Sequence, residues 1–451
     1  MVKHTELGRF IGAFIRARWG LRFHDRASLE CWQDRQLANF FRSTLQKAPF
    51  YRAFKRPGLT TLPIVDKRTT LDQFAAFNTC GISLEAATIA ALAAERSLDA
   101  HGVLNGFGPA LTAGLSSGTL GPRGVFLASP EERATWAGIL LARTLDSSLL
   151  KDLLVRRAPL RVAFFLRANS TLYTTLNSWR IDFLFFDLQL GAPAHVVSLT
   201  QFKPDILVAP PSVLAWLAAE SMAGRTTIAP RRVVSVAEVL EPDDEQNIRA
   251  AFGKTVHQLY QCTEGFLAYT CAQGVLHLNE EFVHVEPEWI DESRTRFIPI
   301  VTDFTRRTQM FVRYRLGDIL RVRTEPCACG RVTRTLAAIE GRLDDVLWLP
   351  SADCTRLLPL FPDALRHTFT RHVANIADYR IEQYGNTLQL AAHGDDALLA
   401  AMTSAVDSLV AALGMRPLSW QRVRMQTPAA AAKRRRIVCV ARPELAELLA
   451  S

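Results

Sequence analysis

Hydroxyls, glycines and an arginine crowd the run Ser116-Ser117-Gly118-Thr119-Leu120-Gly121-Pro122-Arg123-Gly124. Residues of these types at this spacing can fold a backbone around an anion: glycine permits positive φ and close approach, so successive N–H groups converge on a phosphate while the Ser and Thr hydroxyls add donors. The same composition also builds ordinary surface turns, so the loop takes its meaning from the segments downstream of it. It is not the P-loop of kinases and GTPases, which needs Lys and a hydroxyl directly after the second Gly, where this chain has Pro122-Arg123. Downstream come Tyr260-Gln261-Cys262-Thr263-Glu264-Gly265, then Val301-Thr302-Asp303, Arg313-Tyr314-Arg315-Leu316-Gly317-Asp318 and Ile339-Glu340-Gly341-Arg342-Leu343-Asp344-Asp345. Tyr260 offers a flat face for a purine, Glu264 a hard oxygen ligand for Mg²⁺, and Asp318 a pair of acceptors for ribose hydroxyls.

A second group of residues suits a metal. Cys327-Ala328-Cys329-Gly330 reads as a knuckle with a glycine for the turn, and Cys271 and His277 lie across a loop from it. Three thiols and one imidazole make a closed tetrahedral set of the structural zinc type, although free buried cysteines are also common. Eight cysteines in a chain without a recognisable secretion signal argue for reduced thiols or a metal rather than disulfides. Cys31, Cys80, Cys262, Cys354 and Cys439 are expected to be packing residues.

These groups need elements to hold them. The first hundred residues read mostly helical, with apolar positions at helical spacing over 28–47 and an alanine-rich stretch over 84–98. From there to about residue 340, short β-branched and aromatic runs at 160–166, 181–188, 205–209, 231–236 and 255–260 alternate with helical patterns. Such alternation predicts an α/β domain with a substantially parallel sheet and ligand-binding loops at strand ends. After Arg342 the pattern restarts as a small α+β domain of about a hundred residues, a normal domain size. The expected division is therefore 1–341, with a helical layer over 1–100, and 342–451.

At 451 residues, 49% apolar and 22% charged, the chain has the composition of a globular enzyme rather than a disordered segment. No run of about twenty apolar residues appears, and the arginines at 9, 16, 18 and 22 interrupt the N-terminus, so neither a membrane span nor a signal peptide is expected and the default location is the cytoplasm. The segment 10–20 reads as a helix docked on the body, with a basic amphipathic surface helix as the alternative. The net charge of +9 is dispersed, and no nucleic-acid-binding motif accompanies it. A basic surface equally suits an acidic carrier protein or the phosphates of ATP and coenzyme A.

The ordered series resembles the adenylate-forming superfamily of acyl-CoA synthetases, peptide-synthetase adenylation domains and luciferases: a Ser/Thr-Gly loop, then Tyr-x-x-Thr-Glu, Tyr-Arg-x-Gly-Asp, Gly-Arg-x-Asp and a late lysine. Ser235-Val236-Ala237-Glu238, standing where one branch carries Gly-Ala-Glu, and the Cys/His segments bring it closer to the phenylacetate-CoA ligase branch. Within that branch it resembles adenylate-forming proteins related to the deazaflavin-cofactor adenylylating synthetases. The resemblance runs from about residue 40 to residue 437. It implies ATP-dependent activation of a carboxylic acid, aromatic or small and apolar, followed by transfer to a thiol of coenzyme A or of a carrier-protein pantetheine.

On that resemblance Ser116, Ser117, Gly118, Thr119, Gly121 and Arg123 would embrace the β and γ phosphates, Thr263 would meet the α-phosphate and Glu264 would hold Mg²⁺. Ala237, Glu238, Tyr260 and Gln261 would surround adenine and the acyl group, and Asp318 and Arg342 would take the ribose. Lys433 would deliver the catalytic charge, Asp344 would be the hinge between domains, and Cys271, His277, Cys327 and Cys329 would hold zinc, as phenylacetate-ligase-like proteins do at the equivalent loops. Residues 164–173 and the turn 209–212 are expected to wall the acyl pocket. Simpler readings stand beside these: a salt bridge for Asp318 and Arg342, and a solvated basic run for Lys433-Arg434-Arg435-Arg436. The chain departs from coenzyme A ligases after the hinge, where Trp348-Leu349-Pro350-Ser351-Ala352-Asp353-Cys354 replaces a Gly-rich turn, which leaves a carrier protein or an amine as acceptor. The alternatives to a ligase are a nucleotidyltransferase that adenylylates a small-molecule hydroxyl and a non-catalytic nucleotide-binding relative.

Overall fold

A computed structural model describes residues 2–96, 103–104, 111–116, 123–155, 158–166, 180–373, 376, 378–416, 419–425 and 435–443. The chain divides into two compact units, one of residues 1–316 with 321–338 and the other of 317–320 with 339–451.

The first unit opens with helices Val2–Ile15, Arg26–Ser43, Lys67–Asp72 and Leu84–Arg96. Phe10, Ala13 and Phe14 of the first helix pack with Ala137, Leu140 and Leu141 of helix Pro130–Thr144, so this helix is docked. Leu7, Ile11 and Ile15 of this helix, and Trp19 in the helical turn Arg16–Gly20 that follows it, are about half exposed. Strands β1 (Val103–Leu104), β2 (Leu111–Leu115) and β3 (Val125–Ala128) form a small antiparallel sheet.

The main sheet contains β4 (Leu160–Leu166), β5 (Ile181–Asp187), β6 (Ile206–Ala209), β7 (Arg232–Val236), β8 (Val256–Cys262), β9 (Gly265–Thr270), β10 (Leu276–Leu278), β11 (Val283–Trp289), β12 (Arg296–Asp303), β13 (Tyr314–Arg315), β14 (Asp318–Val322) and β15 (Thr335–Arg342). Their order is β11-β12-β14-β15-β10-β9-β8-β7-β6-β4-β5, with β13 on β12. Alternate residues of the central strands enter opposite cores. Val162, Phe164, Val208 and Val234 join the cluster under helix Pro130–Thr144, while Ala163, Phe165, Leu207 and Val233 join Leu214 and Leu217 of helix Pro211–Met222 on the other face. A strand covered on both faces reads as one apolar run, which is why 160–166 is recognisable in the sequence.

The expected parallel pairing runs through β5-β4-β6-β7-β8. From β8 through β9 to β10, and between β11 and β12, pairing is antiparallel. The reason is the length of the connections: two residues join β8 to β9, and only antiparallel strands can be linked so tightly.

In the second unit, β16 (Leu347–Pro350) and β17 (Leu357–Leu360) make a hairpin, and β18 (Tyr379–Tyr384), β19 (Thr387–Ala392), β20 (Ser419–Arg424) and β21 (Ile437–Ala441) form a sheet ordered β20-β19-β18-β21. Helices Pro362–His372 and Asp396–Ala412 supply Leu365, Phe369, Met402 and Val406 to its core. Among the described residues no helix is long and apolar enough to cross a membrane.

Candidate functional site

At the end of β7 the backbone turns sharply. Ala237 has φ of 69°, and the Glu238 N–H donates to Val236 O at 2.9 Å, closing a three-residue turn. A side-chain-bearing residue held in that region costs about 1–3 kcal/mol, and such strain concentrates at ligand sites. The turn carries Val236 and Ala237 to the wall of a cavity of about 60 Å³, lined also by Leu140, Phe164, Leu166, Leu259 and Gln261. Gln261 is the polar side chain in that lining. The Glu238 carboxylate accepts the Ser212 hydroxyl at 2.7 Å at the first turn of helix Pro211–Met222. Tyr260 is buried, 9% exposed, beside a bulge between Tyr260 and Gln261. Of the expected acyl-pocket wall, Phe164 and Leu166 line the cavity, the turn 209–212 is not in its lining, and residues 167–173 lie outside the described residues.

Thr263 and Glu264 are the two turn residues between β8 and β9, both half-buried. The Tyr314 hydroxyl faces Glu264, and its pKa is pushed up first by burial and then by the negative charge of that carboxylate. Beneath the turn, Arg306 Nη2 donates to Thr263 O at 2.7 Å and Arg306 Nε lies 3.5 Å from Asp303 Oδ2. Burial raises the Asp303 carboxyl pKa against the opposing influence of Arg306. A Cβ added at Gly265 would come within 3.3 Å of Asp303 Oδ2, so the close packing favours glycine there.

The Ser/Gly loop joins β2 to β3. Its neck is closed by Ser116 N–H to Gly124 O and Gly124 N–H to Ser116 Oγ, both 2.7 Å, and Arg123 Nε donates to Ser116 O at 2.8 Å. Ser117, Gly118, Thr119 and Gly121 lie outside the described residues.

In the second unit Arg342 Nε and Asp318 Oδ1 are 3.6 Å apart, so two expected ribose ligands are neighbours. The Arg342 N–H donates to Asp345 Oδ2 at 3.0 Å, and the Arg435 guanidinium pairs with Asp345 Oδ1. Asp344 lies in the single turn Leu343–Asp345. Lys433 lies outside the described residues.

Cys271, His277, Cys327 and Cys329 meet: their ligating atoms all lie within 4.8 Å of one another. Cys271 Sγ is 3.6 Å from Cys327 Sγ, and Cys329 Sγ is 3.4 Å from His277 Nε2. The edges of a tetrahedron with zinc bond lengths of ~2.3 Å to sulfur and ~2.0 Å to nitrogen are about 3.5–3.8 Å, so the donor set fits zinc. The Thr333 hydroxyl lies 3.0 Å from His277 Nδ1, which leaves Nε2 facing the cysteines. Burial, with nearby Arg331, pushes the His277 pKa down to about 4, keeping the imidazole neutral as a ligand requires. Gly274 and Gly330, at φ of 78° and 74°, turn the chain after Cys271 and Cys329. Tyr269 stacks on His277 with ring centroids 6.3 Å apart, and the Arg143 guanidinium lies 4.4 Å from the centre of the Tyr269 ring. Arg143 is itself buried in an ion pair of 3.0 Å with Glu281.

One cysteine expectation needs correction: Cys31 is exposed rather than packed, on the outer side of helix Arg26–Ser43. Arg306, Gln309 and Glu132 are functional candidates that the sequence motifs miss. For Arg306 and Gln309 the signal is a polar run, Thr305-Arg306-Arg307-Thr308-Gln309, between two apolar stretches; Glu132 has none in the sequence.

The fold is one seen among solved acyl-CoA ligases. Among solved structures it is similar to 2-hydroxyisobutyryl-CoA ligase in the postadenylation state with 2-HIB-AMP, at 17% identity over 99% of this chain and 90% of that one, TM-score 0.58. The open conformation of that ligase, in complex with 2-HIB-AMP and CoA, matches at 16% identity over 96% of this chain and 90% of that one, TM-score 0.51. No protein-family profile matches the chain, and no curated protein matches it.

Proposed function

We propose that this protein activates a carboxylic acid as its acyl-adenylate and passes the acyl group to a thiol. A carboxylate oxygen attacks the α-phosphorus of ATP, the bond to the β-phosphate oxygen breaks, and pyrophosphate leaves; thiolate attack on the acyl carbon then releases AMP. The observation that carries the reading is the apolar cavity at the ends of β4, β7 and β8, bounded by the strained Ala237 turn and by Gln261, two residues before the Thr263–Glu264 turn. Its apolar lining supports an apolar acid.

In this reading Thr263 meets the α-phosphate, and Glu264, beside Tyr314, would hold Mg²⁺, which would neutralise phosphate charge. The Ser116–Gly121 segment with Arg123 takes the outer phosphates, and Ala237, Glu238, Tyr260 and Gln261 surround adenine and the acyl group. Asp318 and Arg342 take the ribose. Lys433 supplies a mobile positive charge to the carboxylate and α-phosphate, and Asp344 is the hinge. The thiol is that of coenzyme A or of a carrier protein. Zinc in the Cys₃His set would be structural, because four protein donors leave no open position.

The test is ATP–pyrophosphate exchange across aromatic and short aliphatic acids. Exchange stimulated by one acid class, falling about 100-fold or more in Lys433→Ala as expected for loss of a transition-state charge, supports the reading. Absence of exchange with every acid overturns it. Release of AMP that depends on added thiol separates a ligase from a nucleotidyltransferase, which would leave AMP on its product.

A further inference from the structure

The segment between β12 and β13 is tied down at both ends and along its length. Glu132, at the start of helix Pro130–Thr144, accepts the Arg307 N–H at 2.6 Å, the Thr308 N–H at 3.0 Å and the Thr308 hydroxyl at 2.5 Å. The Thr79 N–H donates to Thr308 O at 2.8 Å, and the Met310 N–H donates to Phe77 O at 3.0 Å. From this fixed base Gln309 grips β3: its Oε1 accepts the Leu127 N–H at 2.8 Å and its Nε2 donates to Val125 O at 3.3 Å.

Arg306 reaches further than its neighbours. Its side chain is 14% exposed, its Nη2 donates to Thr263 O at 2.7 Å, its Nη1 to Leu127 O at 3.5 Å, and its Nε faces Asp303 Oδ2 at 3.5 Å. Its guanidinium carbon lies 5.2 Å from the centre of the Phe311 ring. One planar group thus touches the Thr263–Glu264 turn and the strand that returns from the Ser/Gly loop.

We propose that Arg306 is a positioning residue that sets the Thr263–Glu264 turn against the β2–β3 hairpin, and through them fixes where the phosphates of the nucleotide are held. The meaning given to the two loops rests on the function proposed above; the bracing itself does not. A planar, rigid fork can serve two carbonyls and a carboxylate at once, whereas a lysine ammonium is a single point charge on a flexible stem. Because a peptide group is planar and trans, anchoring Thr263 O also directs the Glu264 N–H away from Arg306. Displacements of about 1 Å in such groups cost about 100-fold in rate.

The test uses Arg306→Ala and Arg306→Lys in the full chain, with two readouts. Amide hydrogen exchange is expected to rise together in the peptides covering 262–266 and 111–128 of Arg306→Ala, while those covering 160–166 and 206–209 stay unchanged. In ATP–pyrophosphate exchange kcat is expected to fall about 10–100-fold, with the KM for the acid within about threefold, and Arg306→Lys is expected to fall between. A rise spread over the whole first unit, a rise in one of the two hairpins alone, or an unchanged kcat overturns the proposal. Should Arg306→Ala not fold, Arg306→Lys carries the same comparison. Inactivity of the wild type with every acid overturns the proposed function, and hydrogen exchange then still decides the bracing.

Discussion

Replacing Glu264 with Gln is expected to slow adenylate formation by about 100- to 1,000-fold, equivalent to about 2.7–4 kcal/mol of transition-state stabilisation. The substitution keeps the shape of the side chain and leaves a carbonyl oxygen facing the Tyr314 hydroxyl, whose pKa the Glu264 charge raises in this structure after burial. It removes the negative charge that a hard divalent cation seeks. Folding should therefore be nearly unaffected while the reaction is lost, and the apparent requirement for Mg²⁺ should shift to higher concentration. Single-turnover formation of the acyl-adenylate, measured over a Mg²⁺ series beside a thermal melt, checks this. A rate within about fivefold of wild type would remove Glu264 from the proposed machinery.

The second large effect concerns the metal. Wild-type protein purified without chelator is expected to carry about one zinc per chain, and Cys271→Ser with Cys327→Ser close to none. Metal linkage is folding free energy where the site does not exist in the unfolded chain. The ligands also brace a buried network: His277 stacks on Tyr269, Tyr269 receives Arg143, and Arg143 pairs with Glu281 with both side chains no more than 2% exposed. Breaking a buried ion pair of this kind costs about 3–5 kcal/mol. If about 3 kcal/mol is lost, the thermal midpoint should fall by roughly 6 °C or more, using about 2 °C per kcal/mol for a large domain. Metal analysis and calorimetry of the two proteins decide it. A wild type free of zinc, with an unchanged midpoint in the double variant, would show the cysteines to be ordinary packing residues.

The strands over 160–166 and 206–209 are readable from residue order because both faces are covered: Val162 and Phe164 enter one core, Ala163 and Phe165 the other. The antiparallel half is harder to read. Its strands alternate or are short, as in the three residues of β10, and their pairing depends on connections rather than on composition. The polar run 305–309 has the composition of a surface loop, since nothing in its order says that Thr308 and Gln309 are buried.

By itself the sequence determined the α/β class and the residue types able to bind phosphate, a divalent cation and zinc. These follow from local periodicity and side-chain chemistry, which neighbouring residues carry between them. Only the tertiary structure decided which of those types meet. It brings Cys271 and Cys327 to 3.6 Å across a long intervening segment, strains Ala237 at the mouth of a cavity, and places Arg306 under Thr263. Such meetings depend on strand order and register over the whole sheet, and no short stretch of chain contains that information.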